Sequence, residues 1–104
     1  MRIAKVIGKV TLSRCHPSFR GAKLRLVVPL SIDDLPDAAS PAADTLVVWD
    51  EIGTGDGSLI AISEGPEAAQ PFRPEVKPVD AYASALIDDM RIDERNVEQI
   101  RKAK

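Results

Sequence analysis

Asp80-Ala81-Tyr82-Ala83-Ser84-Ala85-Leu86-Ile87-Asp88-Asp89-Met90-Arg91-Ile92 decides the fold of this chain, because it reads two ways. As a helix, Asp80 caps a run through Ala81, Ala83, Ala85 and Leu86, and alanine is the best helix former. As a strand, Tyr82, Ser84, Leu86 and Asp88 take one face while Ala83, Ala85 and Ile87 take the other. Local propensity leans slightly to the helix. The strand reading adds a fifth strand to the four that precede it.

Those four are clearer. Residues 2–13 alternate with a period of two, placing Ala4, Val6, Gly8, Val10 and Leu12 on one face and Lys5, Lys9, Thr11 and Ser13 on the other. Ile3 and Ile7 interrupt the polar face, which predicts that part of it is covered. Residues 14–22, with Pro17, Ser18 and Gly21, read as a loop. Residues 23–30 alternate again, with Leu24, Leu26, Val28 and Leu30 expected inward and Lys23 and Arg25 outward. Pro29 cannot donate to a ladder, so it belongs at a strand end or an edge. Residues 33–44, with Pro36 and Pro41, form a surface connector.

Residues 45–52 form the third strand, rich in β-branched residues and holding the only Trp, and residues 58–64 form the fourth. Gly53-Thr54-Gly55-Asp56-Gly57 lies between them, and strand, short glycine loop, strand predicts a hairpin. Residues 65–70 suit one helical turn, with Pro66 at its first position and Glu67 near its N-terminus. Residues 72–77 are expected to be extended or irregular. In the tail, Val97 and Ile100 stand three apart among charges, a weak polar helix that reads as a solvated terminus before a docking element.

The 104 residues and 11.3 kDa allow one domain, assigned to residues 1–93, with 94–104 as a polar tail. Hydrophobic residues at 44% suffice for a core; the aromatics, only 4%, are the scattered Phe19, Trp49, Phe72 and Tyr82. A lone Cys15 excludes an internal disulfide, and with a lone His16 it excludes zinc sites built on several Cys or His ligands. No apolar run approaches the ~20 residues of a membrane helix, and the N-terminus carries no signal-peptide pattern. The expectation is a soluble, reduced, cytoplasmic protein that does not engage a membrane. With 14 basic and 16 acidic residues, a net charge of −2 gives no global attraction to nucleic acid.

Candidate chemistry is thin. The glycines at 53, 55 and 57 lack dinucleotide-site spacing, a strand follows where such a site needs a helix, and no Gly-Lys-Ser/Thr triplet exists. Cys15 and His16 are adjacent in an extended loop, where side chains diverge, so an ordinary loop pair is the better reading. Asp33, Asp34 and Asp37 form one acidic cluster and Asp88, Asp89 and Asp93 another, neither with calcium-loop spacing, and both read as solvated faces. Lys5, Lys9, Lys23 and Arg25 suggest a basic strip on two strands, which leaves a single-stranded nucleic-acid-binding module as the alternative function. No metal or cofactor is expected.

Three segments in order resemble the bacterial microcompartment vertex proteins, the pentamer-forming family of ethanolamine-utilisation and carboxysome shells. The first is Ile7-Gly8-Lys9-Val10 followed by His16-Pro17-Ser18-Phe19-Arg20-Gly21-Ala22-Lys23-Leu24. The second is Val48-Trp49-Asp50-Glu51-Ile52-Gly53-Thr54-Gly55-Asp56-Gly57, and the third is Pro78-Val79-Asp80-Ala81 with the apolar run to Ile87-Asp88. Cys15 stands where the family commonly has a basic residue, Ser58 where it has Glu, and Ala85 where it often has Gly. The resemblance implies an all-β, five-stranded, OB-like barrel, with a helical turn near residues 78–81 and then a strand to about Ile92. It also implies a cyclic pentamer capping the vertices of a shell, with hexagonal shell proteins as partners and no catalysis. By the same resemblance, Gly53, Thr54, Gly55, Asp56 and Gly57 line the fivefold axis, with Thr54 and Asp56 facing a narrow opening. Pro78, Val79, Asp80 and Ala81 are the second choice for a subunit contact.

Overall fold

Short strands joined by loops leave unpaired edges, and a sheet that closes on itself removes them. The computed structural model, which describes residues 1–31 and 44–102, is such a barrel, in the order β1-β2-β3-β5-β4. Its strands are β1 (Arg2–Val10), β2 (Leu24–Pro29), β3 (Leu46–Trp49), β4 (Leu59–Glu64) and β5 (Ala81–Leu86). Two 3-10 turns (Pro17–Phe19 and Gly65–Phe72) and a C-terminal helix, α1 (Glu94–Lys102), complete the described chain. The connector at 33–44 and its cluster Asp33, Asp34 and Asp37 fall outside the described residues, apart from Asp44.

The ambiguous stretch is a strand. β5 sits between β3 and β4, two strands that would otherwise have open edges, and Ala81 and Ala83 fill the interior beside Val6, Val27, Ile60 and Ile62. Small side chains fit there, and pairing on both sides overrides alanine's helix propensity. The strand ends at Leu86 rather than near Ile92: the Ile87 amide bonds the Leu59 carbonyl, where β4 begins, and the acidic residues beyond have no ladder to join. The expected helical turn at 78–81 is absent. The Asp80 carbonyl accepts from the Gly65 amide and Ala81 already pairs with Glu64, while the Val79 amide bonds the Lys77 carbonyl, so the segment is an irregular, non-helical lead into β5. The separate helical turn that Pro66 predicts over 65–70 is present, as the 3-10 turn Gly65–Phe72.

Two other expectations are corrected. The glycine loop does not join a hairpin: β3 pairs with β2 and β5, and β4 with β1 and β5. Residues 50–58 instead cross the end of the barrel, because the Gly57 amide bonds the Val6 carbonyl and the Val6 amide bonds the Ser58 carbonyl, steering the chain onto β1. The inward face of β2 is also reversed. Val6 pairs with Val27 and Gly8 with Leu26, so Ile7 is an extra residue on β1, a bulge that moves Gly8 and Val10 to the outer face opposite Leu26 and Leu24. Val27, not Leu26, is in the core, and Pro29 closes the strand as expected.

The outer face of β2, β3 and β5 is covered in turn by the aromatics, which are not scattered. Phe19 stacks on Trp49 at 6.1 Å between ring centroids, Trp49 meets Phe72 edge-on at 4.9 Å, and Phe72 meets Tyr82 at 5.6 Å. Lys77 Nζ lies 6.0 Å from the Trp49 ring. One ring from each of two loops and two strands makes a second core that ties residues 14–22 and 65–77 to the barrel. By strand direction, one barrel end carries the close of β1, β3 and β5 and the start of β2 and β4. The loop 11–23, the glycine turn and residues 87–93 therefore share that end.

Candidate functional site

The glycine turn is built on one buried carboxylate. Asp50 follows β3, its amide donating to the Lys23 carbonyl at 2.7 Å, and its side chain is 0% exposed. Oδ1 accepts from the amides of Ile52 (2.9 Å) and Gly53 (3.1 Å). Oδ2 accepts from the Thr54 amide (2.8 Å), the Thr54 hydroxyl (2.9 Å) and Arg25 Nε (3.3 Å). Burial pushes the Asp50 carboxyl up, but the bonds from Thr54, Gly53 and Ile52 outweigh it and hold the group below its usual range. An aspartate bonding amides just ahead of it is a local turn former, so the turn holds its shape without help from another chain.

Thr54 therefore turns inward, 1% exposed, and does not face outward as expected, whereas Asp56 is exposed. Gly53 and Gly57 have φ of +88° and +85°, the left-handed region that disfavours a side chain. Gly55 does not. Among the described residues an added Cβ there would meet only Ser58 Oγ, at 4.0 Å, so nothing in them requires a glycine at that position. Asp50 and Arg25 carry the turn's geometry, although the sequence marks Asp50 only as part of the second family-like segment and Arg25 only as part of the basic strip. The spacing of an aspartate ahead of Ile52, Gly53 and Thr54 was the available signal.

The segment Pro78, Val79, Asp80 and Ala81 divides. Pro78 and Asp80 are exposed and Val79 is half-buried, but Ala81, 2% exposed, belongs to the barrel core and offers no outer surface. The segment borders a groove of about 200 Å³ shared with Phe19, Val47 and Trp49. Cys15 is exposed, and His16 Nδ1 is occupied by Ser18, taking its amide at 3.1 Å and lying 2.8 Å from its hydroxyl. Asp89 and Asp93 make exposed ion pairs with Arg91 and Arg95. The basic strip is broken by Arg25, which is spent on Asp50, and the rings expected to accompany it contact one another. Among the described residues no group of three or more Cys, His, Asp or Glu is placed to hold a metal ion, and no helix is long and apolar enough to cross a membrane.

The chain and its barrel are matched by a known family. Residues 1–88 fit the family model described as ethanolamine utilisation protein EutN/carboxysome. The chain belongs to the EutN/CcmL family. Among EutN/CcmL relatives, the carboxysome shell vertex protein CcmL of Synechococcus elongatus is 33% identical over 97 residues, covering 93% of each chain. The bacterial microcompartment shell vertex protein PduN of Salmonella typhimurium is 34% identical, covering 86% of this chain and 98% of its own. Of solved EutN/CcmL structures, CcmL of Gloeobacter violaceus superposes with a TM-score of 0.76 at 31% identity, covering 89% of this chain and 91% of its own. The GrpN pentameric microcompartment shell protein of Rhodospirillum rubrum superposes with a TM-score of 0.74 at 29% identity, covering 89% and 100%.

Proposed function

We propose that this chain is a structural shell protein of a bacterial microcompartment, five copies of which form a cyclic pentamer that closes a vertex of the icosahedral shell in the cytoplasm. The observation that carries this reading is the likeness, over nearly nine-tenths of the chain, to proteins described as shell vertex proteins and to a pentameric shell structure. A closed shell tiled by hexagons needs a pentagon wherever curvature concentrates, and a head-to-tail contact rotated by one fifth of a turn closes into that tile. The chain's partners are then its own copies and hexagonal shell proteins, and it catalyses nothing.

Gly53, Thr54, Gly55, Asp56 and Gly57 are our choice for the fivefold axis. The support is Gly55, which nothing among the described residues needs as a glycine and which suits close approach by neighbouring backbones. Asp56, not Thr54, is then the side chain offered to the opening. Pro78, Val79 and Asp80 are our second choice for a subunit contact. The solution mass of the purified chain tests the reading: a pentamer of the 11.3 kDa chain is expected, and a monomer or dimer overturns it. Gly55→Arg adds bulk and five like charges at the axis; stable pentamers of that variant in native mass spectrometry would overturn the placement alone.

A further inference from the structure

We propose that the acidic arm of residues 88–94 docks in a basic groove of the neighbouring copy, so that each subunit clasps the next. The groove, about 620 Å³, runs beneath the loop after β1 and is lined by Lys9, Arg20, Lys23 and Arg25, over an apolar floor that includes Leu12 and Phe19. Among the described residues no carboxylate lines it. Arg25 is neutralised by Asp50, but Lys9, Arg20 and Lys23 make no ion pair among the described residues. Such a concentration of unmatched positive charge, in a chain whose net charge is −2, favours an anionic occupant.

The arm has the matching chemistry. Asp88, Asp89, Asp93 and Glu94 are set against the single Arg91, and Met90 and Ile92 are apolar residues of like parity that suit the groove's floor. Residues 88–93 have no regular structure, and α1 behind them exposes Glu94, Arg95, Asn96, Glu98, Gln99 and Ile100 without substantial packing on any strand. Placement supports a neighbour's groove over the chain's own. Arm and groove lie at the same barrel end, but the groove spans the close of β1, the loop 11–23 and the start of β2, while the arm continues β5, which pairs with neither strand and lies across the five-strand ring. Complementary patches on opposite sides of a subunit make a heterologous contact, the kind that closes a ring.

This inference rests on the pentameric reading, and the experiment separates the two. In the full-length chain, Asp89→Cys places a thiol on the arm opposite the native Cys15, which lines the groove. Mild oxidation is expected to give a ladder of covalent species up to the pentamer, absent from the wild type. Independently, Lys9→Glu/Arg20→Glu/Lys23→Glu is expected to raise the protein concentration at half-dissociation of the ring by about tenfold. Adding Asp88→Lys/Asp89→Lys/Asp93→Lys should restore the wild-type midpoint. An unchanged midpoint in the groove variant overturns the proposal whatever the gel shows. So does a loss that the arm reversal fails to restore, which would assign the groove to another acidic partner. A wild-type chain that is not pentameric overturns the shell reading instead.

Discussion

The glycine turn and the C-terminal arm leave the same end of the barrel, and both are polar, but their charges are used in opposite ways. Residues 50–54 wrap a carboxylate that is wholly buried and takes hydrogen bonds from three amides, a hydroxyl and a guanidinium. In the arm, Asp89 and Asp93 pair with Arg91 and Arg95, two residues away and exposed to water. A buried, fully satisfied carboxylate fixes a single geometry, because any other leaves it uncompensated. Exposed neighbour pairs are worth little and dissolve readily. The turn is thus shaped before assembly, and the arm is shaped by what it meets.

Removing the buried charge tests this contrast most severely. Both Asp50 oxygens face donors, so Asp50→Asn must set an N–H against an N–H. We expect a loss of about 3 kcal/mol and a fall in Tm of more than ~10 °C at fixed protein concentration. A change below about 0.5 kcal/mol would show that the turn is held by something else. The same carboxyl has a depressed pKa, so its contribution is full above its unfolded value of ~3.9 and disappears as pH falls through the folded value. The gap between wild type and Asp50→Asn in urea titrations should therefore close below about pH 4.

A smaller effect separates two glycines of one turn. Gly57→Ala forces a Cβ into φ of +85° and should cost about 1–2 kcal/mol. Gly55→Ala should leave the barrel within ~0.5 kcal/mol of wild type by the same melts. Equal penalties would contradict the assignment of Gly57 to folding and Gly55 to assembly. The mildest comparison needs no mutation. In amide hydrogen exchange the Thr54 N–H, bonded to Asp50 Oδ2, should be among the slowest of the turn, while amides 88–92 exchange near free-chain rates in the dissociated chain. Comparable protection in the two regions would erase the distinction.

Much of this architecture is legible in the residues. The strand segments appear as runs of period two, Pro66 marks the start of its turn and Pro29 the end of its strand. What alternation cannot reveal is which strands are neighbours, so β3, the glycines and β4 read as a hairpin although β5 lies between them. A single extra residue, Ile7, reverses the inward face from there on, and nothing local in Val6-Ile7-Gly8 marks the slip. The aromatic seam joins residues 19, 49, 72 and 82, whose meeting is a product of closure. At the turn, the glycines stand out while the supporting Asp50 and Arg25 do not. Arg25 reads as an outward cation on a strand whose alternation points to the wrong inward face, and its partner lies 25 positions away.

Strand direction has a practical corollary. β1 opens at Arg2 on one end of the barrel, and β5 closes at Leu86 on the other. A tag or enzyme joined ahead of Arg2 and one joined directly behind β5 would depart from opposite ends of the same tile. In a ring of five, choosing the point of fusion chooses which barrel end carries the load, and the two sets of five attachment points need not compete for room.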